Sequence, residues 1–478
     1  MGEARLNLSA VRRRFIRFTA ALVFAALMLS ACGPASSTPT STQVPPTSTK
    51  TPSPTKTVTS TRPVPIGIAP GALKGTLIQV WHAFAGSAYD VFTRQVNQFN
   101  ASNEWGIWVD PTGYGDYSNL FDSVDSALLS GDPPDLVASL PEQTLAWTAS
   151  NAVVDLAPYL ADSTWGMDSE ALADIPSSFL AQDNPHGSQW GLPAERSGRF
   201  LFYNATWAQD LGFDSPPATP DEFRRQACAA NASFRRDSDL TNDSYGGWII
   251  DTDWQTSYSW LLAFDGGVTD GAAYAFRTDP NRTALQFLKL LYQDHCAWLP
   301  QEPASFNPFD SFAGRLALFV SADLSEIPQA TASMGSRKNT DRWELIPFPG
   351  QQKQVLVDYG PSFSVLKSTP EKQLAAYVFI RWLLSPDNQA QWVQATGLFP
   401  LRLASLSHLS AFKAASPQWE GAVVSVDLAQ NGPALASWRK VRYVLQDGLT
   451  TIFQTNVPLA QLPSVLTEMD SMAQELNK

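Results

Sequence analysis

The residues able to carry covalent or acid–base chemistry in this 478-residue chain are few, and their spacing narrows what they can do. Cys32 closes the run Leu29-Ser30-Ala31-Cys32, behind an apolar stretch that itself follows five arginines. Cys228 and Cys296 form an even pair; in an oxidising exterior such a pair suggests one disulfide, with two free buried thiols as the alternative. The histidines His82, His186, His295 and His408 are scattered singly. No H-E-x-x-H, G-x-S-x-G, G-x-x-x-x-G-K-[ST] or close Cys/His spacing for zinc occurs, so no catalytic triad or metal site can be assigned and no cofactor is expected. Tryptophan, by contrast, is abundant, and Trp248, Trp254 and Trp260 fall close together with Tyr258 between them. The C–H face of a pyranose stacks on such rings, and its hydroxyls need directional partners of the Asp, Glu, Asn and Arg type. Leaving a hydroxyl without a partner costs a few kcal/mol, so a sugar site needs both kinds of group.

The chain opens with Arg5, Arg12, Arg13, Arg14 and Arg17, then an apolar stretch over 18–29, then small residues. This is the three-part pattern of an export signal, and its apolar part is shorter than the roughly 20 residues a bilayer span needs. A buried helix would not account for the arginines before it and the Ser/Thr/Pro tract after it. The end of the signal resembles the lipobox of bacterial lipoproteins, which implies a signal peptide over 1–31 and a lipidated Cys32 that tethers the chain to the outer face of the cytoplasmic membrane without spanning it. Arg12 to Arg17 also resembles a twin-arginine signal, a plain basic region being the alternative. From 33 to 70 Ser, Thr and Pro dominate, with Lys50, Lys56 and Arg62 the only charges. Such a segment buries too little apolar surface to offset backbone ordering, so 32–73 reads as a disordered stalk of about 40 residues able to reach about 100 Å. Because residues 1–31 carry five arginines against Glu3, removing this +4 segment takes the net charge from −12 to −16. An acidic mature chain argues against nucleic acid as a partner.

The elements that must position any site follow from periodicity. An apolar strand over 76–81 precedes a helix with Tyr89, Phe92, Val96 and Phe99 on one face. A second strand over 107–110 precedes a helix carrying Leu120, Val124 and Leu128, and a third strand covers 135–139. Strands alternating with amphipathic helices predict right-handed βαβ units, an α/β fold with mostly parallel sheets flanked by helices. The 400 residues after the stalk exceed one compact core, so two lobes are expected. Ligands of open α/β sheets sit beyond the carboxyl ends of strands, which directs attention to 82–87, 112–117 and 140–144. Near the end, Ser368-Thr369-Pro370-Glu371 has the form of a capping box, and a later helix from Ser385-Pro386 stops at Gly397, a residue suited to a left-handed C′ position.

The order of motifs from about Lys74 to Leu406 resembles the extracellular solute-binding proteins of bacterial ABC importers, of the family 1 or maltose-binding-protein-like sugar-binding type. The resemblance rests on Val80-Trp81, Phe99-Asn100, Gly131-Asp132-Pro133-Pro134-Asp135-Leu136, Gly191-Leu192-Pro193, Phe202-Tyr203-Asn204, the run Phe312 to Phe319, and Trp382-Leu383-Leu384-Ser385-Pro386-Asp387-Asn388-Gln389. The family's usual Ala-Met after Gly-Arg is Leu316-Ala317-Leu318 here. The resemblance implies a two-lobed periplasmic-binding-protein fold of type II with discontinuous lobes, 74–195 plus 360–405 and 196–359 plus 406–478, and a ligand cleft between them. With the rule for strand ends it points to His82 and Phe84 after the first strand, Tyr114 and Tyr117 after the second, and Glu142 after the third. Arg196, with Arg199, lies at one crossing between lobes, and Tyr359 and Ser362 flank another. Trp254, Asp265 with its two following glycines, Ser321 and Asp323 complete the expected ligand contacts.

The implied function is capture of a carbohydrate, lobe closure as a population shift, and delivery to permease subunits, by a monomer that catalyses no reaction. Two other classes share the features: a glycoside hydrolase, whose carboxylates carry no motif, and a sugar sensor that hands its ligand to a receptor. Monosaccharide, oligosaccharide, polyol and glycerol phosphate derivative all remain open as ligands, the net acidity disfavouring a highly anionic one unless a local arginine pair overrides it.

Overall fold

The computed structural model describes residues 66–300 and 306–478; the signal segment, Cys32 and the stalk up to residue 65 lie outside the described residues. The described fold begins before the expected stalk ends. Ile66 donates its backbone N–H to Asp162, the Trp165 indole donates to the Ile68 carbonyl, and Leu73 is fully buried. The apolar residues Ile66, Ile68 and Leu73 pack into the first-lobe core.

The first sheet contains β1 (Leu77–His82), β2 (Trp108–Gly113), β3 (Leu136–Ser139) and β4 (Leu192–Pro193), with the late strand β13 (Ser362–Val365) between β3 and β4. The expected alternation is present: α1 (Gly86–Ser102) and α2 (Tyr117–Ser130) follow β1 and β2, which pair in parallel. Phe92, Val96 and Phe99 of α1 are buried, while Tyr89 is 46% exposed and turns its ring toward His82. The second sheet contains β5 (Ser197–Asn204), β6 (Trp248–Ile249), β9 (Ala297–Trp298), β10 (Phe319–Asp323), β11 (Trp343–Ile346), β12 (Leu356–Tyr359) and β14 (Ala429–Gln430); β7 (Thr269–Asp270) and β8 (Ala273–Tyr274) form a separate hairpin. This sheet is mixed rather than mostly parallel. Strand β5 enters from the first lobe and runs antiparallel to β10, β11 and β12, whereas β10, β6 and β9 are mutually parallel.

The chain passes between the sheets from β4 to β5 and back from β12 to β13. These two crossings touch: a Cβ at Gly360 would stand 2.1 Å from the Glu195 carbonyl oxygen, so only glycine fits there. Late in the chain, the N-cap of the Pro370–Leu383 helix is Thr369, which accepts from Lys372 N–H; the predicted reciprocal Ser368–Glu371 box is not formed, because the helix starts one residue later. Gly397 closes the Pro386–Thr396 helix at φ 70°, as expected of a left-handed C-terminal residue. Cys228 and Cys296 are joined by a disulfide that ties the Pro220–Phe234 helix to the start of β9.

Candidate functional site between and beside the crossings

Arg196 sits in the first crossing with no exposed surface. Its guanidinium donates to the carbonyls of Glu195, Phe179, Gly360 and Pro361, to the Asp183 carboxylate at 2.9 Å and to Ser362 Oγ at 2.8 Å. Ser362 in turn donates to Asp183. Arg196 therefore pins both crossings together through its two Nη groups, while its Nε is buried without a partner. Beside it, the carboxylates of Asp358 and Glu195 are raised by burial to about 6 and about 7, the charge of Arg196 only partly offsetting this. Asp358 is fully buried and neither of its oxygens has a hydrogen-bond partner.

A second group joins the lobes directly. Helix α3 (Pro141–Thr148) begins just beyond β3 and places Glu142 in its first turn. Glu142 Oε1 accepts from the Tyr359 hydroxyl at 2.6 Å and from Arg442 Nη1 at 2.9 Å, while its Oε2 is buried without a partner. Tyr359 ends β12, and Arg442 lies on the Trp438–Ile452 helix of the second lobe. Trp254 presents its edge to both Tyr359 and Trp438, and the Arg442 guanidinium lies 5.9 Å from its ring centre. Burial raises the Tyr359 hydroxyl well above its ordinary range, so it stays a donor to Glu142.

The third feature is a cavity of about 670 Å³ at the carboxyl ends of β6, β9 and β10. Arg199, Asp251, Asp253, Ser321 and Glu326 supply its polar wall, and Ile249, Leu299 and Phe453 part of its apolar wall. Arg199 Nη2 meets Asp251 at 2.5 Å, Nε donates to Thr256 at 2.9 Å, and Nη1 stands 3.2 Å from Asp323, close enough for an ion pair though not aligned as a hydrogen bond. Burial alone would lower the Arg199 pKa, but Asp251, Asp323 and Asp253 more than offset it and raise the value. Parallel strands that end together at a cavity are the usual ligand position of an open α/β sheet.

Residues 94–421 match the family described as bacterial extracellular solute-binding protein. The chain belongs to this family. It is 23% identical over 350 residues to the sn-glycerol-3-phosphate-binding periplasmic protein UgpB of Escherichia coli strain K12, a match covering 69% of this chain and 75% of that protein. Among solved structures it resembles the sugar-binding protein MalE of Xanthomonas citri, with a TM-score of 0.72 at 19% identity, covering 84% of this chain and 97% of that one. It also resembles UgpB of Mycobacterium tuberculosis in complex with glycerophosphocholine, with a TM-score of 0.65 at 17% identity over 84% and 98% of the two chains. The two-lobed, maltose-binding-protein-like fold follows from these likenesses, and the protein is an extracellular solute-binding protein of the kind that delivers small molecules to importers.

Within this solute-binding protein the predicted contacts divide by place. Glu142, Trp254 and Tyr359 meet in the group that joins the lobes; Ser321 and Asp323 stand at the second-lobe cavity and its Arg199. Tyr117 begins α2 on the first-lobe side, where burial and the nearby Glu195 raise its hydroxyl pKa. Arg196 and Ser362 are committed to the crossings rather than offered to a ligand. His82 is buried between Phe84 and Phe92, its Nδ1 accepts the Phe84 backbone N–H, and burial lowers its pKa to about 4; His82 and Phe84 thus belong to the first-lobe interior. Tyr114 leans on Trp81 in a separate open groove of the first lobe. Asp265 is exposed beyond the C-terminal end of the Trp254–Ala263 helix, about 15 Å from the end that bears Trp254, and its φ of 59° serves the turn after that helix. Trp248 donates its indole N–H to Ser321 and packs with Trp260, and both are fully buried core. Arg442, Asp251, Asp253 and Glu326 escaped the sequence reading. Asp253 carried a signal, the N-cap position ahead of a helix; Arg442 carried none, being one of several basic residues on a helix beyond the family motifs.

Proposed function

We propose that this solute-binding protein captures a carbohydrate between its lobes and presents the closed form to the permease of an ABC importer. The observation that carries the carbohydrate part of this reading is the second-lobe cavity at the strand ends, which combines directional polar groups with apolar wall as a sugar requires; its lining belongs to the second lobe alone, and capture between the lobes is supported by the two-lobed fold. The solved relatives support it: that of Arthrobacter globiformis, TM-score 0.66, is a cyclic α-maltosyl-1,6-maltose binding protein, and one from Thermus thermophilus, TM-score 0.57, holds maltotriose. The lobes would comprise roughly 74–195 plus 360–405 and 196–359 plus 406–478, each centred on one sheet. The chain would act as a monomer, held at the outer face of the cytoplasmic membrane through lipid on Cys32, and would release its ligand chemically unchanged.

The test is calorimetric titration of the purified protein with mono-, di- and oligosaccharides, polyols and amino acids, followed by analysis of the recovered compound. Saturable binding of one sugar class, recovered intact, is expected. Recovery of cleaved sugar would replace this reading with glycoside hydrolysis, and binding of amino acids alone would remove carbohydrate from it. Incorporation of labelled fatty acid, lost in Cys32→Ala, tests the anchor.

A further inference from the structure

We propose that the ligand of the second-lobe cavity is rich in hydrogen-bond donors and bears no phosphate or carboxylate, its donors being hydroxyl or ammonium groups. This rests on the carbohydrate reading above and narrows its ligand class. Three positively charged or dipolar features at the cavity could attract an anion, and the protein already occupies each. The guanidinium of Arg199 is engaged on three sides by Asp251, Thr256 and Asp323, with Glu326 3.9 Å away. The positive end of the Trp254–Ala263 helix opens toward the same cavity, but Asp253 caps it, its carboxylate accepting the Gln255 N–H at 2.8 Å. The short turn after β10 is closed likewise, Glu326 accepting the Asp323 N–H at 2.8 Å. Among the described residues, no lysine or histidine lines the cavity. The lining thus sets the carboxylates of Asp251, Asp253 and Glu326 against one guanidinium, an excess of acceptors and of negative charge. Arg442, in the group that joins the lobes, gives its Nη1 to both Glu142 and Tyr359.

The experiment is calorimetric titration with matched ligands: glucose, glucosamine and glucose 6-phosphate; glycerol and glycerol 3-phosphate; maltose and maltotriose; and the polyamine spermidine. A neutral or amino-bearing member should bind, and each phosphorylated partner should bind at least about 100-fold more weakly, the factor that one like charge about 6 Å away imposes at an effective dielectric of about 20. Preference for glucosamine over glucose would identify ammonium as the donor; equal or better binding of glucose would identify hydroxyl. Asp253→Asn, which keeps a capping side chain, should narrow the discrimination against phosphate by about tenfold while leaving the melting temperature close to wild type. Binding of glycerol 3-phosphate or glucose 6-phosphate as tightly as the neutral partner overturns the inference and leaves carbohydrate capture standing. Binding of a polyamine with no sugar bound would instead retire the carbohydrate reading while the exclusion of anions held.

Discussion

Replacing Arg196 with methionine tests whether one side chain holds the two crossings together. Methionine keeps much of the apolar length and removes every donor. Asp183, 3% exposed, would be left as a buried carboxylate without its counter-charge, Ser362 still donating to it, and the Phe179 carbonyl would lose the donor the guanidinium supplies, whereas the carbonyls of Gly360 and Pro361 keep Gln182 and the Ala194 N–H. Stranding one member of a buried ion pair costs about 3–5 kcal/mol, and the Phe179 carbonyl left without the guanidinium adds on the order of 1 kcal/mol before relaxation. A total near 5 kcal/mol is expected, a large share of the roughly 5–15 kcal/mol that separates a folded domain from its unfolded chain. The assay is a double-mutant cycle by urea unfolding with Arg196→Met, Asp183→Asn and the pair. Asp183→Asn retains acceptors for Arg196 and should cost less than Arg196→Met, and the double variant should be more stable than the sum of the single losses predicts, because the stranded charge is gone. A cost below about 1 kcal/mol for Arg196→Met, or strict additivity with Asp183→Asn, would refute the account of the crossings.

The other expectations are narrower. Glu142→Ala removes the acceptor shared by Tyr359 and Arg442 and should favour separated lobes by about 3 kcal/mol, about 100-fold in population, visible as a larger radius of gyration in solution scattering; an unchanged radius would mean the group does not hold the lobes. Asp358, raised from 3.8 to about 6, contributes stability that is fully present below about pH 3.8 and lost as pH rises through about 6. Asp358→Asn should therefore melt with wild type at pH 4 and exceed it by up to about 3 kcal/mol at pH 7, a comparison made against wild type because His82, lowered to about 4, destabilises in the opposite direction on acidification; parallel pH profiles for the two proteins would contradict it. Opening the Cys228–Cys296 bridge, whose partners are 68 positions apart, with a Cys228→Ser/Cys296→Ser variant should cost about 4 kcal/mol by the loop-entropy relation, read as a lower denaturation midpoint; an unchanged midpoint would show that this closure carries no stability.

Sequence alone determined the features whose causes lie within a few residues of one another. The alternation of apolar strand and amphipathic helix through β3, the cap at Gly397 and the order of family motifs all rest on local periodicity, backbone preference and capping, which the chain carries wherever it goes. Glu142 and Tyr359 were legible as residues at a strand end and a crossing, and Trp254 as one of a cluster of tryptophans, and the fold brings the three together. Tertiary structure alone decided between residues of the same type. Arg196 and Arg199 stand three positions apart, yet Arg196 is spent on carbonyls some 165 residues away and Arg199 faces a cavity. Trp248 and Trp260 are core while Trp254, on the same stretch of chain, meets Tyr359 and Trp438. His82 follows the strand end that should expose it, but the rings of Phe84 and Phe92 close over it. The reason is common to all three. A side chain's type sets what it can bond or bury, but which partner it meets depends on two crossings that bring distant segments side by side, and no local pattern encodes that distance.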